Sequence, residues 1–192
     1  MISKAQLRAD GLAARQAIPR ARLLNCSRLV EMNLASQKEY REARVVASYV
    51  SKEDEVQTRE MIQRMLSEGK RVAVPLVDAP SRALMFFEIG RLEDLSPGRF
   101  GILEPSPERA PVPLADCDLV LVPLVAWDDR GYRIGYGKGY FDRALADRGS
   151  PFSVGLALES QRVDEIPAGP SDVPLDMVVT EERVLRFHRR PA

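Results

Sequence analysis

Over the first part of the chain, apolar residues alternate with polar ones at helical spacing. Ser3 and Gln6 form a capping-box pattern, and apolar residues continue at loosely helical spacing to about Ala17. Because the residue before a proline avoids the helical region, we expect this helix to end just before Pro19. A second amphipathic helix is predicted from about Arg22 to Leu34. The chain is therefore expected to begin with a pair of helices.

Beyond these helices, apolar runs of strand length alternate with helical patterns, which is typical of an α/β fold. Arg44–Val50 and Arg71–Pro75 are predicted strands on either side of a helix at Glu55–Ser67. Further strands are predicted at Phe152–Leu158, Met177–Thr180 and, as a final edge pair, Val184–Phe187. We expect a three-layer αβα fold with a largely parallel sheet, in a single domain over residues 1–192. Ligands of such folds bind at the carboxyl ends of strands.

The middle of the chain contains a second apolar run, ALMFFEI. Met85, Phe86 and Phe87 in this run are expected in the core, with stacking of one of them on a flat ligand ring as the alternative. Pro107, Pro111 and Pro113 indicate a stiff surface crossing and not a domain boundary.

The segment with the strongest chemical signal is LVLVPLVAWDDRGYRIGYGKGYFDR, residues 119–143. Here a predicted strand leads into Gly135, Gly137 and Gly139, and YFDRALADR then predicts a helix. Glycines before a helix allow backbone N–H groups to approach an anion, so we interpret the loop as a phosphate-binding loop. Lys138 and Arg133 would supply cations for phosphate.

The glycine spacing does not fit the common nucleotide motifs. A P-loop requires Ser or Thr after the lysine, whereas Lys138 is followed by Gly139, and a Rossmann loop would need glycine at Tyr140. The alternative is a tight surface turn with a solvated lysine. Asp142, in the first turn of the predicted helix, could hold a divalent cation, or could be a helix-capping or ion-paired residue with Arg133 or Arg143.

Composition restricts the function classes. Lys plus Arg and Asp plus Glu number 28 each. The chain therefore has no net charge that would attract nucleic acid or an anionic membrane. Cys26 and Cys117 do not fit a disulfide framework or metal site and are expected to be buried free thiols. The sequence shows no signal peptide or membrane-spanning apolar run, which predicts a cytoplasmic protein. His188, in the basic tail RFHRRPA, is expected to be solvated.

Residues 123–143 closely resemble the signature of the 5-formyltetrahydrofolate cyclo-ligase (5,10-methenyltetrahydrofolate synthetase) family. Matches elsewhere are Lys4 and Arg8 in KAQLR, YVSKEDE with Thr58, FGILEP from Phe100, and DVPLDMVVTE from Asp172. The resemblance thus covers nearly the whole chain. Trp127 stands where the family commonly has phenylalanine, and Phe141 where tyrosine is usual, so both positions keep an aromatic ring.

The resemblance implies ATP- and magnesium-dependent conversion of 5-formyltetrahydrofolate to 5,10-methenyltetrahydrofolate, with release of ADP and phosphate. It implies phosphorylation of the formyl oxygen and ring closure by N10. The substrate would be the folate, in some cases polyglutamylated, and the enzyme would be a monomer that binds neither nucleic acid nor membrane.

The resemblance also implies a set of site residues. The implied catalytic residues are Lys4, Arg133 and Lys138. The implied ATP contacts are Lys4, Arg8, Arg133, Ile134, Gly135, Tyr136, Gly137, Lys138, Gly139, Tyr140 and Phe141. The implied folate contacts are Arg8, Val50, Glu55, Tyr136, Gly137, Lys138, Gly139 and Tyr140. The implied magnesium ligands are Asp142 and Asp172, with Asp176 as the alternative to Asp172.

Each implied residue has a plainer interpretation. Lys4 and Arg8 are one helical turn apart and could lie on a solvated face. Glu55 could be an acid at a helix N-terminus, and Asp172 a turn residue. Three other functions compete with the ligase: a sugar-phosphate isomerase, a non-catalytic nucleotide sensor or partner-binding module, and an RNA-binding protein. ATP-dependent formation of the methenyl product would separate them.

Overall fold

Helices form the first part of the structure, a computed structural model that describes residues 2–78, 80–81, 83–98, 101–108, 110–146 and 149–187. They are α1 (Lys4–Gln16), α2 (Arg20–Ala35) and the short α3 (Lys38–Glu42). The Ser3 hydroxyl accepts the Gln6 N–H at 3.2 Å, as the capping pattern predicted. The predicted helical pair is confirmed. The five-residue α3 was not predicted, because so short a segment has little periodicity.

Twelve strands and two further helices follow among the described residues. The strands are β1 (Val45–Ser48), β2 (Arg71–Asp78), β3 (Ala83–Ile89), β4 (Leu95–Pro97), β5 (Leu103–Pro105), β6 (Pro111–Val112), β7 (Leu119–Pro123), β8 (Ala126–Trp127), β9 (Arg133–Ile134), β10 (Phe152–Leu156), β11 (Met177–Val179) and β12 (Val184–Arg186). The helices are α4 (Arg59–Ser67) and α5 (Tyr140–Leu145).

Among the described residues, eight strands form one sheet in the order β12-β11-β10-β7-β1-β2-β3-β6. The five central strands, from β11 to β2, are parallel. At the two edges, β12 is antiparallel to β11 and β3 is antiparallel to β2. The predicted α/β fold with a largely parallel sheet is confirmed. The pairs β4-β5 and β8-β9 lie outside this sheet.

Neighbouring residues of the central strands point to opposite faces of the sheet. Val46 and Leu121 pack with α2 and α4, whereas Ala47 and Val122 pack on the other face with Leu145 of α5. Because β1, β7 and β10 are parallel and in register, their carboxyl ends meet at one edge. The segments that follow β1 and β7 are therefore brought together there, beside α1.

The structure corrects two sequence predictions. The helix predicted from Glu55 begins at Arg59, because the Thr58 hydroxyl donates to the Tyr49 carbonyl oxygen at 2.7 Å and closes the segment between them as a loop. Phe86 and Phe87 are buried as expected, but Met85 is 36% exposed. β6 pairs with β3 only at those two phenylalanines, and Met85 falls just outside the paired stretch.

Some predictions have no structural test. Phe100 of the FGILEP match and His188 of the basic tail lie outside the described residues. The assignment of residues 1–192 to one domain stays a prediction. In the described part of the chain, no helix has the length and apolar character needed to cross a membrane.

Candidate functional site

A cleft of about 1440 Å³ opens at the carboxyl edge of the sheet, between α1, the loop after β1 and the glycine-rich loop after β9. Every residue that the sequence suggested for the site lines this cleft. They are Lys4, Arg8, Val50, Glu55, Arg133, Ile134, Gly135, Tyr136, Gly137, Lys138, Gly139, Tyr140, Phe141, Asp142, Asp172 and Asp176. Residues from four distant parts of the sequence therefore share one concave surface.

The glycine-rich loop has the backbone conformation that its composition predicts. Gly137 and Gly139 have φ angles of +89° and +64°, which residues with a side chain rarely adopt. Gly139 directly precedes α5, so the loop ends at a helix N-terminus. Lys138, between these glycines, is exposed and has no hydrogen bond or ion pair with the described residues. The loop thus places a cation and a glycine-rich backbone on the wall of the cleft, an arrangement suited to anion binding.

Arg8 supports the glycine-rich loop from α1. Its Nε donates to the Gly135 carbonyl oxygen at 2.8 Å, and its guanidinium lies so close to Gly137 that a Cβ there would be 3.1 Å from Arg8 Cζ. Arg8 therefore contacts the loop, and the interpretation as a purely solvated residue is wrong.

Arg133 and Asp142 form an ion pair at one end of the cleft. Arg133 Nη2 lies 3.1 Å from Asp142 Oδ1, and Arg133 Nη1 donates to the Val173 carbonyl oxygen at 2.7 Å. Burial lowers the pKa of the Arg133 guanidinium, and the carboxylates of Asp142 and Asp172 oppose that shift. The ion-paired alternative for Asp142 is therefore realised with Arg133.

Lys4 and Asp172 form a second ion pair in the cleft. Lys4 Nζ lies 2.5 Å from both carboxylate oxygens, and the Gly169 N–H donates to Oδ2 at 2.5 Å. Burial would raise the pKa of Asp172, but the bonds from Lys4 and Gly169 more than offset it, so the pKa lies below its ordinary value. Asp172 thus remains a carboxylate paired with the ammonium of Lys4.

Asp176 differs from Asp172 in its partners. Its carboxylate accepts the Ser153 N–H at 2.8 Å and the Ser153 hydroxyl at 2.9 Å. These bonds fix the start of β10 to the segment before β11. Although Asp176 lines the cleft, its carboxylate already stabilises the fold, which favours Asp172 as the candidate metal ligand.

The two carboxylates of Asp142 and Asp172 are a suitable donor set for magnesium. The described residues contain no group of three or more His, Cys, Asp or Glu side chains that could hold a metal by themselves. Magnesium in phosphate-binding sites takes one or two protein carboxylates and completes its shell with water and phosphate oxygens. Both carboxylates line the same cleft and both act on Arg133. The pair therefore fits magnesium bound together with a nucleotide.

Glu55 lies at the other end of the cleft and is 5% exposed. Its Oε1 accepts the Tyr136 hydroxyl at 2.9 Å, and its Oε2 accepts the Lys52 N–H at 2.8 Å. Because α4 begins only at Arg59, the alternative of an acid at a helix N-terminus is wrong. Val50 is buried and packs in the main core while it borders the cleft.

Sequence reasoning missed Arg15, which is 2% exposed and sits beneath Glu55 and Tyr136. Its guanidinium donates to Asp54 Oδ2 at 2.8 Å and to the Tyr136 hydroxyl oxygen at 2.5 Å. A signal was present, since Lys4, Arg8 and Arg15 have the spacing i, i+4, i+11, which places all three on one face of a helix.

Comparisons with known proteins identify the family to which the chain is similar. The sequence model of the 5-formyltetrahydrofolate cyclo-ligase family matches residues 1–181. A protein of Schizosaccharomyces pombe named probable 5-formyltetrahydrofolate cyclo-ligase is 32% identical over 176 residues, 84% of each chain. The Escherichia coli K12 protein named 5-formyltetrahydrofolate cyclo-ligase is 34% identical over 148 residues, 74% of this chain and 80% of that protein.

A solved structure is similar over nearly the whole chain. The NMR structure of Aquifex aeolicus 5,10-methenyltetrahydrofolate synthetase superposes with a TM-score of 0.86 at 32% identity, and covers 98% of this chain and 95% of that one. The similarities in sequence and fold favour the cyclo-ligase over the isomerase, sensor and RNA-binding alternatives.

Proposed function

The chain belongs to the 5-formyltetrahydrofolate cyclo-ligase family, and from this membership we propose how its cleft performs the family's reaction. The enzyme is an ATP-dependent ligase that converts 5-formyltetrahydrofolate to 5,10-methenyltetrahydrofolate. We propose that ATP and magnesium occupy the end of the cleft with Asp142 and Asp172, and that the folate occupies the end with Glu55. The glycine-rich loop lies between them and contacts both.

At the ATP end, the cations of the cleft neutralise the phosphates. Lys138 is exposed and without an ion pair among the described residues, so it can approach a phosphate without breaking an existing contact. Lys4 is bound to Asp172 in this structure. If Asp172 held magnesium, the ammonium of Lys4 would be available to a phosphate oxygen. Arg133 is buried and stays beside Asp142, where it limits the repulsion between carboxylate and triphosphate.

At the folate end, Glu55 is the candidate acceptor for the N–H donors of the pterin ring. Both of its oxygens already accept one hydrogen bond, and each retains further acceptor capacity. Val50 supplies apolar surface, while Arg8 and the loop from Tyr136 to Tyr140 border the space between the folate and ATP.

The reaction requires activation of a formyl oxygen, which is a poor leaving group. In the proposed sequence this oxygen attacks the γ-phosphorus of ATP, and the bond to ADP breaks. The N10 nitrogen then attacks the formyl carbon, phosphate departs with the electrons of the C–O bond, and the N10 proton is released. Magnesium, when bound, supplies charge neutralisation for the transferred phosphoryl group. The protein's part in phosphoryl transfer is positioning and charge stabilisation, which Lys4, Arg133 and Lys138 would provide.

The observation that carries this proposal is that one cleft, in a chain of this family, is lined by the glycine-rich loop together with Asp142, Asp172, Lys4, Arg8, Arg133 and Lys138. The test is a spectrophotometric assay of methenyl-folate formation with 5-formyltetrahydrofolate, in which ATP and magnesium are omitted in turn. We expect absorbance only when all three are present. Product formation at an unchanged rate in the presence of a magnesium chelator would contradict the role of Asp142 and Asp172.

The monomeric state, the cytoplasmic location and the acceptance of polyglutamylated folates remain proposals of the same kind. Light scattering at the enzyme's working concentration tests the first. Competition between folates with one and several glutamates tests the last, since a longer chain would need cations beyond those assigned above.

A further inference from the structure

Arg15 is a buried cation with several acceptors but no contact with the ATP end of the cleft. Its Nε and Nη2 donate to Asp54 at 3.0 and 2.8 Å, and Nη1 lies 3.9 Å from Glu55 Oε1. Nη1 also donates to the Leu124 carbonyl oxygen at 3.4 Å. Among the described residues, its other hydrogen bond goes to Tyr136. A buried arginine is costly unless it is fully paired, so this position has a demanding local geometry.

Tyr136 joins Arg15 to Glu55. Its hydroxyl accepts from Arg15 Nη2 at 2.5 Å and donates to Glu55 Oε1 at 2.9 Å. Because arginine only donates and a carboxylate only accepts, the direction of both bonds is fixed. Tyr136 is 41% exposed, and its ring centroid lies 4.2 Å from Lys52 Nζ. One face of the phenol is therefore held by the protein while part of the ring remains open to the cleft.

We propose that Arg15 is a positioning residue for the folate end of the cleft, where it orients the Tyr136 ring and the Glu55 carboxylate through these bonds. The inference rests on the proposed contacts of Glu55 and Tyr136 with the folate. Arg15, Asp54, Glu55 and Tyr136 are called the Arg15 cluster below. Burial and then the nearby Glu55 raise the pKa of Tyr136, which agrees with a phenol that keeps its donor proton.

The location of the Arg15 cluster predicts an effect on one substrate only. Its carboxylates and phenol belong to none of the residues in the Lys4–Asp172 and Arg133–Asp142 ion pairs. Removal of Arg15 should thus release Tyr136 and Glu55 and leave the phosphate-binding cations in place. If Arg15 merely stabilised the fold, its substitution would weaken the binding of both substrates or of neither.

The test compares Arg15→Met and Tyr136→Phe with a matched control, Arg20→Met. Arg20 donates hydrogen bonds to the Glu53 carbonyl oxygen and to Gln57 in the same loop, but it has none with Tyr136 or the Glu55 carboxylate. Calorimetry measures the Kd of each variant for 5-formyltetrahydrofolate and, separately, for magnesium ATP, and circular dichroism confirms folding. We expect the folate Kd to rise about tenfold in both cluster variants, the loss typical of one charge-assisted bond, with the ATP Kd within about twofold of wild type.

For the double variant Arg15→Met with Tyr136→Phe, the folate Kd should be at most about twofold higher than that of the single variant that binds folate more weakly. The reason is that both changes break the same connection. An unchanged folate Kd in folded Arg15→Met, or an equal loss for ATP and folate, would overturn the proposal. An equal folate loss in Arg20→Met would also overturn it, since loop stiffness would then explain the effect.

If Arg15→Met does not fold, Tyr136→Phe and Arg15→Lys decide in its place. Tyr136→Phe keeps the ring and loses only the hydroxyl, and unchanged folate binding in it would refute the role of the connection. Wild-type protein that binds ATP but not the folate would defeat the proposed function itself. Wild-type binding of both, with no folate defect in the cluster variants, defeats only the inference about Arg15.

Discussion

Asp142→Asn separates the two roles that Asp142 can have. The substitution keeps the shape and one acceptor oxygen but removes the charge that faces Arg133 at 3.1 Å. The Asp142 side chain is 32% exposed, so its loss should cost less than the 3–5 kcal/mol of a fully buried pair, and we expect about 1–2 kcal/mol. For a chain of this size, that corresponds to a fall in Tm of about 2–8 °C.

A metal-binding role predicts a second, larger effect. If Asp142 holds magnesium beside the phosphates, we expect kcat to fall at least about a hundredfold, or about 2.7 kcal/mol in the barrier, at magnesium concentrations that saturate the wild type. The assay is methenyl-folate formation as a function of magnesium concentration, together with a thermal melt of the same preparation.

Asp176→Asn is the matched control for this experiment. Asp176 lines the same cleft, but its carboxylate accepts bonds from Ser153, so its loss should lower Tm without altering the magnesium dependence. Asp142→Asn that melts a few degrees lower yet turns over with ordinary magnesium dependence would refute the ligand assignment. The Arg133 ion pair would then be the whole role of Asp142.

Other predictions concern single residues. Lys138→Ala should leave the Tm unchanged, because the residue is exposed and unpaired among the described residues. The same substitution should raise the KM for ATP. An unaltered KM and kcat would favour the interpretation of Lys138 as a solvated lysine. Arg8→Ala, which removes the bond to Gly135, should raise the KM for at least one substrate. The amides of Val45 and Arg44 lower the pKa of Asp118. The stability that Asp118 adds is therefore present above its unfolded pKa of about 3.9 and is lost as the pH falls further. In urea unfolding, Asp118→Asn should have a lower free energy of unfolding than wild type at pH 7, and this difference should shrink below about pH 4. Burial raises the pKa of the Cys117 thiol to about 11, so at pH 8 a disulfide reagent should label it only after unfolding.

The periodicity of the sequence was sufficient to predict most helices and strands, because their apolar residues follow the spacing of the buried face. It could not predict that β3 runs antiparallel to β2, since buried strands of either direction have similar patterns. Nor could it locate the start of α4, which depends on the Thr58 bond to Tyr49. Local side-chain bonds of this kind compete with helix formation and leave little trace in hydrophobicity.

The candidate site followed from motifs, but its internal contacts did not. Lys4 and Asp172 are 168 residues apart, and Arg15 and Tyr136 are 121 apart. No local pattern links such pairs, so they depend on the assembled fold. The spacing along α1 did contain part of the answer, since it placed Arg15 on the same face as Lys4 and Arg8, although no motif marked it.

That face of α1 is the reason why we expect substitutions to affect the two ends of the cleft separately. Lys4 contacts Asp172, Arg8 contacts Gly135, and Arg15 contacts Tyr136. With a rise of 1.5 Å per residue, Lys4 and Arg15 are about 16 Å apart along the helix axis. One rigid helix thus spans the cleft from the proposed metal site, past the glycine-rich loop, to the proposed folate site. Because each arginine or lysine binds a different segment, substitutions along α1 should weaken ATP binding near Lys4 and folate binding near Arg15, with Arg8 between the two.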